Sequence, residues 1–171
     1  MSVVARRNHR DRVDHAVVPS PRPVLALDSS VFFKLVRVVN LTARPFSESI
    51  GQAHHLSLNE WRVLLVLANH PGVAASEVTA LTGLDKMTVS RALAALGRRG
   101  RVVRKVDAED KRRMLLRLSA EGERLYERIG TPAKQREHAL FAGMGDAEQA
   151  QLARMLDRLI ENLLAADRGS G

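Results

Sequence analysis

The chain is 171 residues long, carries 27 Lys or Arg against 19 Asp or Glu for a net charge of +8, and contains no cysteine. The missing thiols exclude disulfides, thiolate metal centres and cysteine redox sensing, and the longest unbroken apolar run, Val63 to Ala68, is far too short to span a membrane. With 45% hydrophobic residues a core is affordable, so the expectation is a globular, cytoplasmic protein of one domain or two small intertwined lobes, with a polyanionic partner.

Residues 1–27 mix Arg, His, Asp and the prolines Pro19, Pro21 and Pro23 without hydrophobic periodicity, and no apolar run follows the arginines as it would in a secretory signal. They read as a flexible basic arm, either an inert tail or a segment that adds phosphate contacts or covers a dimer. Asp28 or Ser29 can cap a helix beginning near Ser30, on which Phe32, Leu35, Val36 and Val39 make one apolar stripe. Pro45 kinks that helix or ends it with a restart through Phe46 and Ile50, and Gly51 to Leu56 reads as a loop carrying His54 and His55. Ser57 and Glu60 form a capping box ahead of an inward face of Leu58, Trp61, Leu64, Leu65, Leu67 and Ala68, and Pro71-Gly72 stops the helix. Ser76 to Thr82 is a short helix with Val78 and Leu81 inward. Gly83 supplies the turn after it, and Asp85 is a ready cap for the next helix.

From Lys86 onward, steps of about 100° per residue put Val89, Ala92, Leu93 and Leu96 on one face. The opposite face carries Met87, Arg91, Ala94 and Arg98, with Ser90 beside them, and no acid occurs between Lys86 and Asp107. Small residues between cations let such a helix sit deep in a DNA major groove, which is about 12 Å wide. Residues 86–117 hold eleven Lys or Arg against three acids, a surplus equal to the net charge of the whole protein. Gly100 ends the helix, and Arg101–Val106 and Arg113–Leu118 read as two strands around a charged tip, Asp107 to Arg112. Such a wing can place Arg112 in the minor groove, with Asp110 holding the guanidinium by a charge-assisted bond. Ser119 can cap a long helix through Leu125, Tyr126 and Ile129, with a kink or break at Gly130-Thr131-Pro132 before it resumes through Leu140 and Phe141. Asp146 and Gln149 form another box-like start. Leu152, Met155, Leu156, Leu159, Ile160 and Leu163 then recur at three- and four-residue steps, a seam for a partner helix.

In this order of elements the chain resembles the MarR family of transcriptional regulators. The segments that carry the resemblance are SLNEWRVLLVLANHPG, SEVTALTGLDKMTVSRALAALGRRG, the D-x-R of the wing at Asp110 and Arg112, and LSAEGERLYERI; together it covers about residues 30–165. Thr79 stands where the family's turn more typically packs an alanine, and the N-terminal arm extends beyond the family's usual core. The fold class that follows is mainly α: a winged helix-turn-helix with a small β-wing and an N-/C-terminal helical dimerisation region. Its expected divisions are the arm at 1–27, a dimerisation helix and loop at 28–56, the DNA-binding lobe at 57–118, a long helix plus C-terminal dimerisation helix at 119–166, and a tail at 167–171. The resemblance implies an obligate homodimer that sets two recognition helices in successive major grooves of a palindrome, with half-site centres about 34–36 Å apart. It also implies, as for most members, a repressor released by a small aromatic or phenolic anion that favours a different lobe spacing.

On that reading Lys86, Met87, Thr88, Ser90 and Arg91 contact the DNA, Arg91 by a bidentate bond to guanine and Met87 at a thymine methyl. Ser76 and Arg98 contact phosphates, and Arg112, held by Asp110, enters the minor groove. Arg37, His54, His55, Trp61 and Arg62 lie where the family's ligands bind and are the effector candidates, for an aromatic, N-heteroaromatic or phenolic acid. Each also has a plain structural reading as loop surface, core packing or an ion pair. A zinc-sensing alternative would draw on His54, His55 and His138, but the chain has neither cysteine nor an i,i+4 histidine pair, so no metal or cofactor is expected. None of the common catalytic motifs is present, which argues against an enzyme. The runner-up is a DNA-compacting protein indifferent to sequence.

Overall fold

The computed structural model describes residues 29–169, so the basic arm and the Asp28 cap lie outside the described residues. The chain divides between Leu41 and Thr42 into two units. The first holds most of helix α1, Val31–Phe46. Its cap is Ser30, one residue beyond the expected position, whose Oγ accepts the Phe33 N–H at 3.2 Å. The stripe expected on this helix is left open, with Phe32 76% and Val39 50% exposed.

In the second unit Pro45 does not end the helix. The chain runs through it to Phe46, widens into a π-turn at Ser47–Gly51 and closes with a single α-turn, α2, at Gln52–His54. Proline supplies no N–H and crowds the carbonyl four residues back, yet that turn stays helical, and the widened turn begins two residues after the proline. The Ser49 hydroxyl donates to the Pro45 carbonyl at 2.7 Å. The expected loop at Gly51–Leu56 is therefore helical as far as His54, and the reversal is confined to His55, which is left-handed at φ 48°.

Helix α3, Leu58–Asn69, opens on both halves of the expected capping box: Ser57 Oγ accepts the Glu60 N–H at 3.2 Å, and Glu60 Oε2 accepts the Ser57 N–H at 2.7 Å. Its buried face is centred on Val63, Leu64 and Leu67, whereas Leu65 is exposed, against expectation. The run from Trp61 to Ala68 is apolar almost all round, so spacing alone fits more than one phase. Core packing of Val63, Leu64 and Leu67 selects the phase, and buried Glu60, beside that face, also accepts from Arg99 Nη1 at 2.9 Å. Helix α4, Ala75–Thr82, begins one residue early because Glu77 Oε2 takes the Ala74 N–H at 2.8 Å. Val78 is fully buried but Leu81 is 52% exposed, since so short a helix packs through one position.

Helix α5, Lys86–Arg98, follows the left-handed Gly83 and buries Val89, Ala92, Leu93 and Leu96, the four residues expected. Asp85 caps it, accepting the Thr88 N–H at 2.8 Å and the Thr88 hydroxyl at 2.6 Å. Those bonds, the hydroxyl first, hold the Asp85 carboxyl below its ordinary pKa. A depressed pKa contributes stability above the unfolded value that is lost as the pH falls through the folded one. Asp85→Ala is therefore expected to lower the melting temperature at neutral pH. The gap to wild type should begin to narrow below about pH 4, where a free aspartate protonates, and close only as the pH falls past the lower folded value; a gap undiminished in strong acid would contradict the cap's role. The far end of α5 is a two-bond glycine stop: Gly100, at φ 64°, donates to Gly97 O and Arg101 N–H to Leu96 O, each at 2.9 Å.

Strands β1, Val102–Val106, and β2, Met114–Leu118, pair antiparallel with Arg104 opposite Leu116. A third short strand position, Val73, bridges the free side of Leu116, a pairing the sequence pattern did not signal. Helix α6, Ala120–Leu140, passes through Pro132 unbroken. Its cap, Ser119, accepts the Gly122 N–H at 3.1 Å and donates to Gly100 O at 2.5 Å. Helix α7, Asp146–Gly169, starts from Gly145, whose N–H goes to Glu148 Oε2 at 2.9 Å, one residue ahead of the expected Asp146–Gln149 box. Its seam of Met155, Leu159, Ile160 and Leu163 is exposed. The core lies where α3, α4, α5, β2 and α6 meet, on Leu64, Leu67, Leu96, Leu125 and Ile129. No helix among the described residues is long and apolar enough to cross a membrane.

Candidate nucleic-acid interface

Helix α5 presents Lys86, Met87, Ser90, Arg91, Ala94 and Arg98 outward while its other face fills the core. The Asp85 cap fixes its first turn, the Gly100 stop fixes its last, and the Glu60–Arg99 bond ties its end to α3. A rigid helix of this kind holds side chains in the register that base recognition requires. Ser76 is exposed in the first turn of α4. Thr88 is only half exposed, and its hydroxyl proton is committed to Asp85, so toward DNA it offers lone pairs or its methyl group.

Ion pairing separates the lobe's cations into two groups. Arg99 bonds Glu60, and Arg113 bonds Glu77, the second fastening the base of the wing to the start of α4. The Ala74 amide first, and then Arg113, hold the Glu77 carboxyl below its usual pKa. Lys86, Arg91, Arg98, Arg104 and Arg112 make no ion pair with any acid among the described residues. Those charges are available to phosphates without breaking a bond first.

At the wing tip the expected contact between Asp110 and the Arg112 guanidinium is not present. Asp110 Oδ1 instead accepts the Arg112 backbone N–H at 3.0 Å. A two-residue spacing suits a short carboxylate to its own chain's amide, and the resulting turn is a local one. Asp110 thus shapes the tip, and the Arg112 side chain extends from it, exposed. A residue the sequence reading passed over, Arg104, lines a groove of about 300 Å³ between α4, α5 and the wing with Ser76, Lys86 and Ser90. Its signal was the alternation of β1, in which Val102, Arg104 and Val106 share one side.

The effector candidates of the second unit do not converge. His54 alone among them lines a cleft of about 500 Å³ between the π-turn and the second half of α6, facing Ile50, Pro132, Gln135 and Arg136. Trp61 stacks between Phe46 and Tyr126, with ring centroids 6.0 Å apart on each side. Arg62 bonds Asn59 Oδ1 at 3.2 Å, His55 is exposed at the turn, and Arg37 lies on α1 in the first unit. Among the described residues no three or more His, Cys, Asp or Glu side chains gather as a metal site would require, and His138 lies at a separate cleft by the α6–α7 turn.

Comparison with known proteins gives the lobe a family. The MarR family model matches residues 54–113, which contain α3, α4, α5, β1 and the wing tip. The homoprotocatechuate degradative operon repressor of Escherichia coli is 24% identical over 118 residues, 69% of this chain and 80% of that protein. A MarR/EmrR family regulator from Acinetobacter sp. ADP1 superposes with a TM-score of 0.75 at 26% identity, covering 81% of this chain and 98% of that one. CouR from Rhodococcus jostii RHA1, solved bound to p-coumaroyl-CoA, gives a TM-score of 0.72 at 25% identity, covering 80% and 96%. These likenesses extend past the DNA-binding lobe, and the chain is similar to the MarR family of winged helix-turn-helix transcriptional regulators, in sequence over residues 54–113 and in fold over most of its length.

Proposed function

We propose that the protein is a homodimeric repressor of a two-fold symmetric operator, released by a small aromatic acid. The observation that carries DNA reading is the outer face of α5, where exposed Arg91 and Arg98 stand between small residues with no acid to neutralise them. Arg91 and Met87 read bases, Arg98 and Ser76 hold phosphates, and Arg112 reaches the minor groove from the tip that Asp110 shapes. Lys86 and Arg104 add a phosphate cradle on the wing side of α5. The exposed apolar rows of α1 and α7 support a second copy, because contiguous apolar faces of this length mark association surfaces.

The cleft by the π-turn is the effector site on this reading. Its walls are mostly aliphatic, with His54 and Arg136 at hand for a carboxylate. The aromatic class is supported by the relatives: one represses an aromatic-degradation operon and another was solved with an aromatic acyl thioester. Selection from a pool of random duplexes tests the DNA reading. Enrichment of an inverted repeat with half-sites about one helical turn apart is expected, and a pool that stays random would favour the sequence-indifferent alternative.

A further inference from the structure

We infer that Arg101 is a positioning residue that ties the wall of the π-turn cleft to the junction between the recognition helix and the wing. The inference rests on the cleft and the DNA face acting together, as proposed above, and names the bond through which they do so. Arg101 follows the glycine stop of α5 and immediately precedes β1. Its side chain does not turn toward the DNA-facing groove. It reaches back to the end of α2, where Nη2 donates to His54 O at 2.7 Å and Nη1 approaches His55 O at 3.4 Å.

Those carbonyls end a helical segment that reverses at left-handed His55, so they have no following turn to bond and lie at the negative end of the helix dipole. A two-pronged guanidinium is suited to both. The main chain of Arg101 is held from the other side. Its carbonyl accepts the Ser119 N–H at 3.0 Å and lies against Gly122 at the start of α6. The two walls of the cleft are the segment ending at His54 and the later turns of α6. One wall is therefore bonded directly to Arg101, and the other belongs to the helix whose first turn rests on the Arg101 carbonyl, at the residue that closes the recognition helix. A ligand that parts the walls must stretch the Arg101 bonds or move the junction with them.

Coupling of this kind is reciprocal, so DNA can serve as the probe and the cleft wall as the readout. The measurement is amide hydrogen exchange at His55 and Leu56 in wild type, Arg101→Leu and Arg101→Lys, each with and without a short random-sequence duplex. A thermal melt establishes that each variant is folded. The expected result is exchange about tenfold faster at these two amides in both variants, the size expected for losing a charge-assisted bond. Added duplex should change their protection in wild type and leave it unchanged in the variants. Lysine fails with leucine because it keeps the charge but not the fork. The duplex affinity of Arg101→Leu should fall while the slope of log affinity against log salt stays as in wild type. A slope shallower by about one unit would make Arg101 a phosphate contact and overturn the inference. So would wild-type exchange and wild-type response to DNA in both variants. Sequence preference enters neither readout, so the repressor reading stands or falls separately.

Discussion

Gly122→Ala is expected to destabilise the fold by about 3 kcal/mol or more, as large as many core truncations. A Cβ at this position would sit 2.1 Å from the Arg101 carbonyl oxygen and 3.3 Å from Leu118 Cβ. The first contact is with backbone, which no rotamer change can relieve, so α6 and the start of β1 must separate. Parting them also strains the bond from Ser119 N–H to Arg101 O and the Ser119 cap. Gly130, eight residues further along the same helix, is the control. A Cβ there meets nothing within 4 Å, so Gly130→Ala should stabilise by about 0.5–1 kcal/mol through helix propensity. Urea unfolding of the two variants should move in opposite directions. Equal midpoints would show that α6 does not press on the junction as described.

Arg91→Ala is expected to remove about 1–3 kcal/mol of discrimination between the selected duplex and a scrambled one, a factor of roughly five to more than a hundred. Arg91 is exposed near the middle of the outer face of α5 and has no acid partner among the described residues, so its loss frees no buried charge. Arg98→Ala, about two turns further along, is the contrast. It should weaken all duplexes alike and reduce the salt slope by about one unit, as a phosphate contact does. Equal loss of preference from both substitutions would remove the distinction between reading and positioning on this helix.

The recognition helix was legible in the sequence because α5 is strongly two-faced, and Val89, Ala92, Leu93 and Leu96 admit a single phase. The capping residues Ser57, Asp85 and Ser119 were legible for a related reason: each acts on amides within three residues of itself. What stayed hidden depends on partners far along the chain. Leu65 and Leu81 have inward-looking spacing yet are exposed, because the packing of Val63, Leu64 and Val78 decides which face is covered. Arg99 and Arg101 read only as basic density, while their partners Glu60 and His54 lie 39 and 47 positions away. Asp110 differs in the opposite direction: its bond is local, to the Arg112 backbone amide and not to the guanidinium that the D-x-R spacing suggests. The effector candidates scattered for the same reason. Trp61 is occupied by Phe46 and Tyr126, and the cleft draws on α6 residues such as Gln135 and Arg136 that no local pattern marked.

The most direct test of DNA reading by α5 is a titration of wild-type protein against the duplex won by selection and against its scrambled counterpart, at physiological salt. The expected ratio of affinities is about a thousand or more, the range typical of specific regulators. A ratio near one, with the same steep salt dependence for both duplexes, would contradict it and leave a protein that binds the phosphate backbone alone.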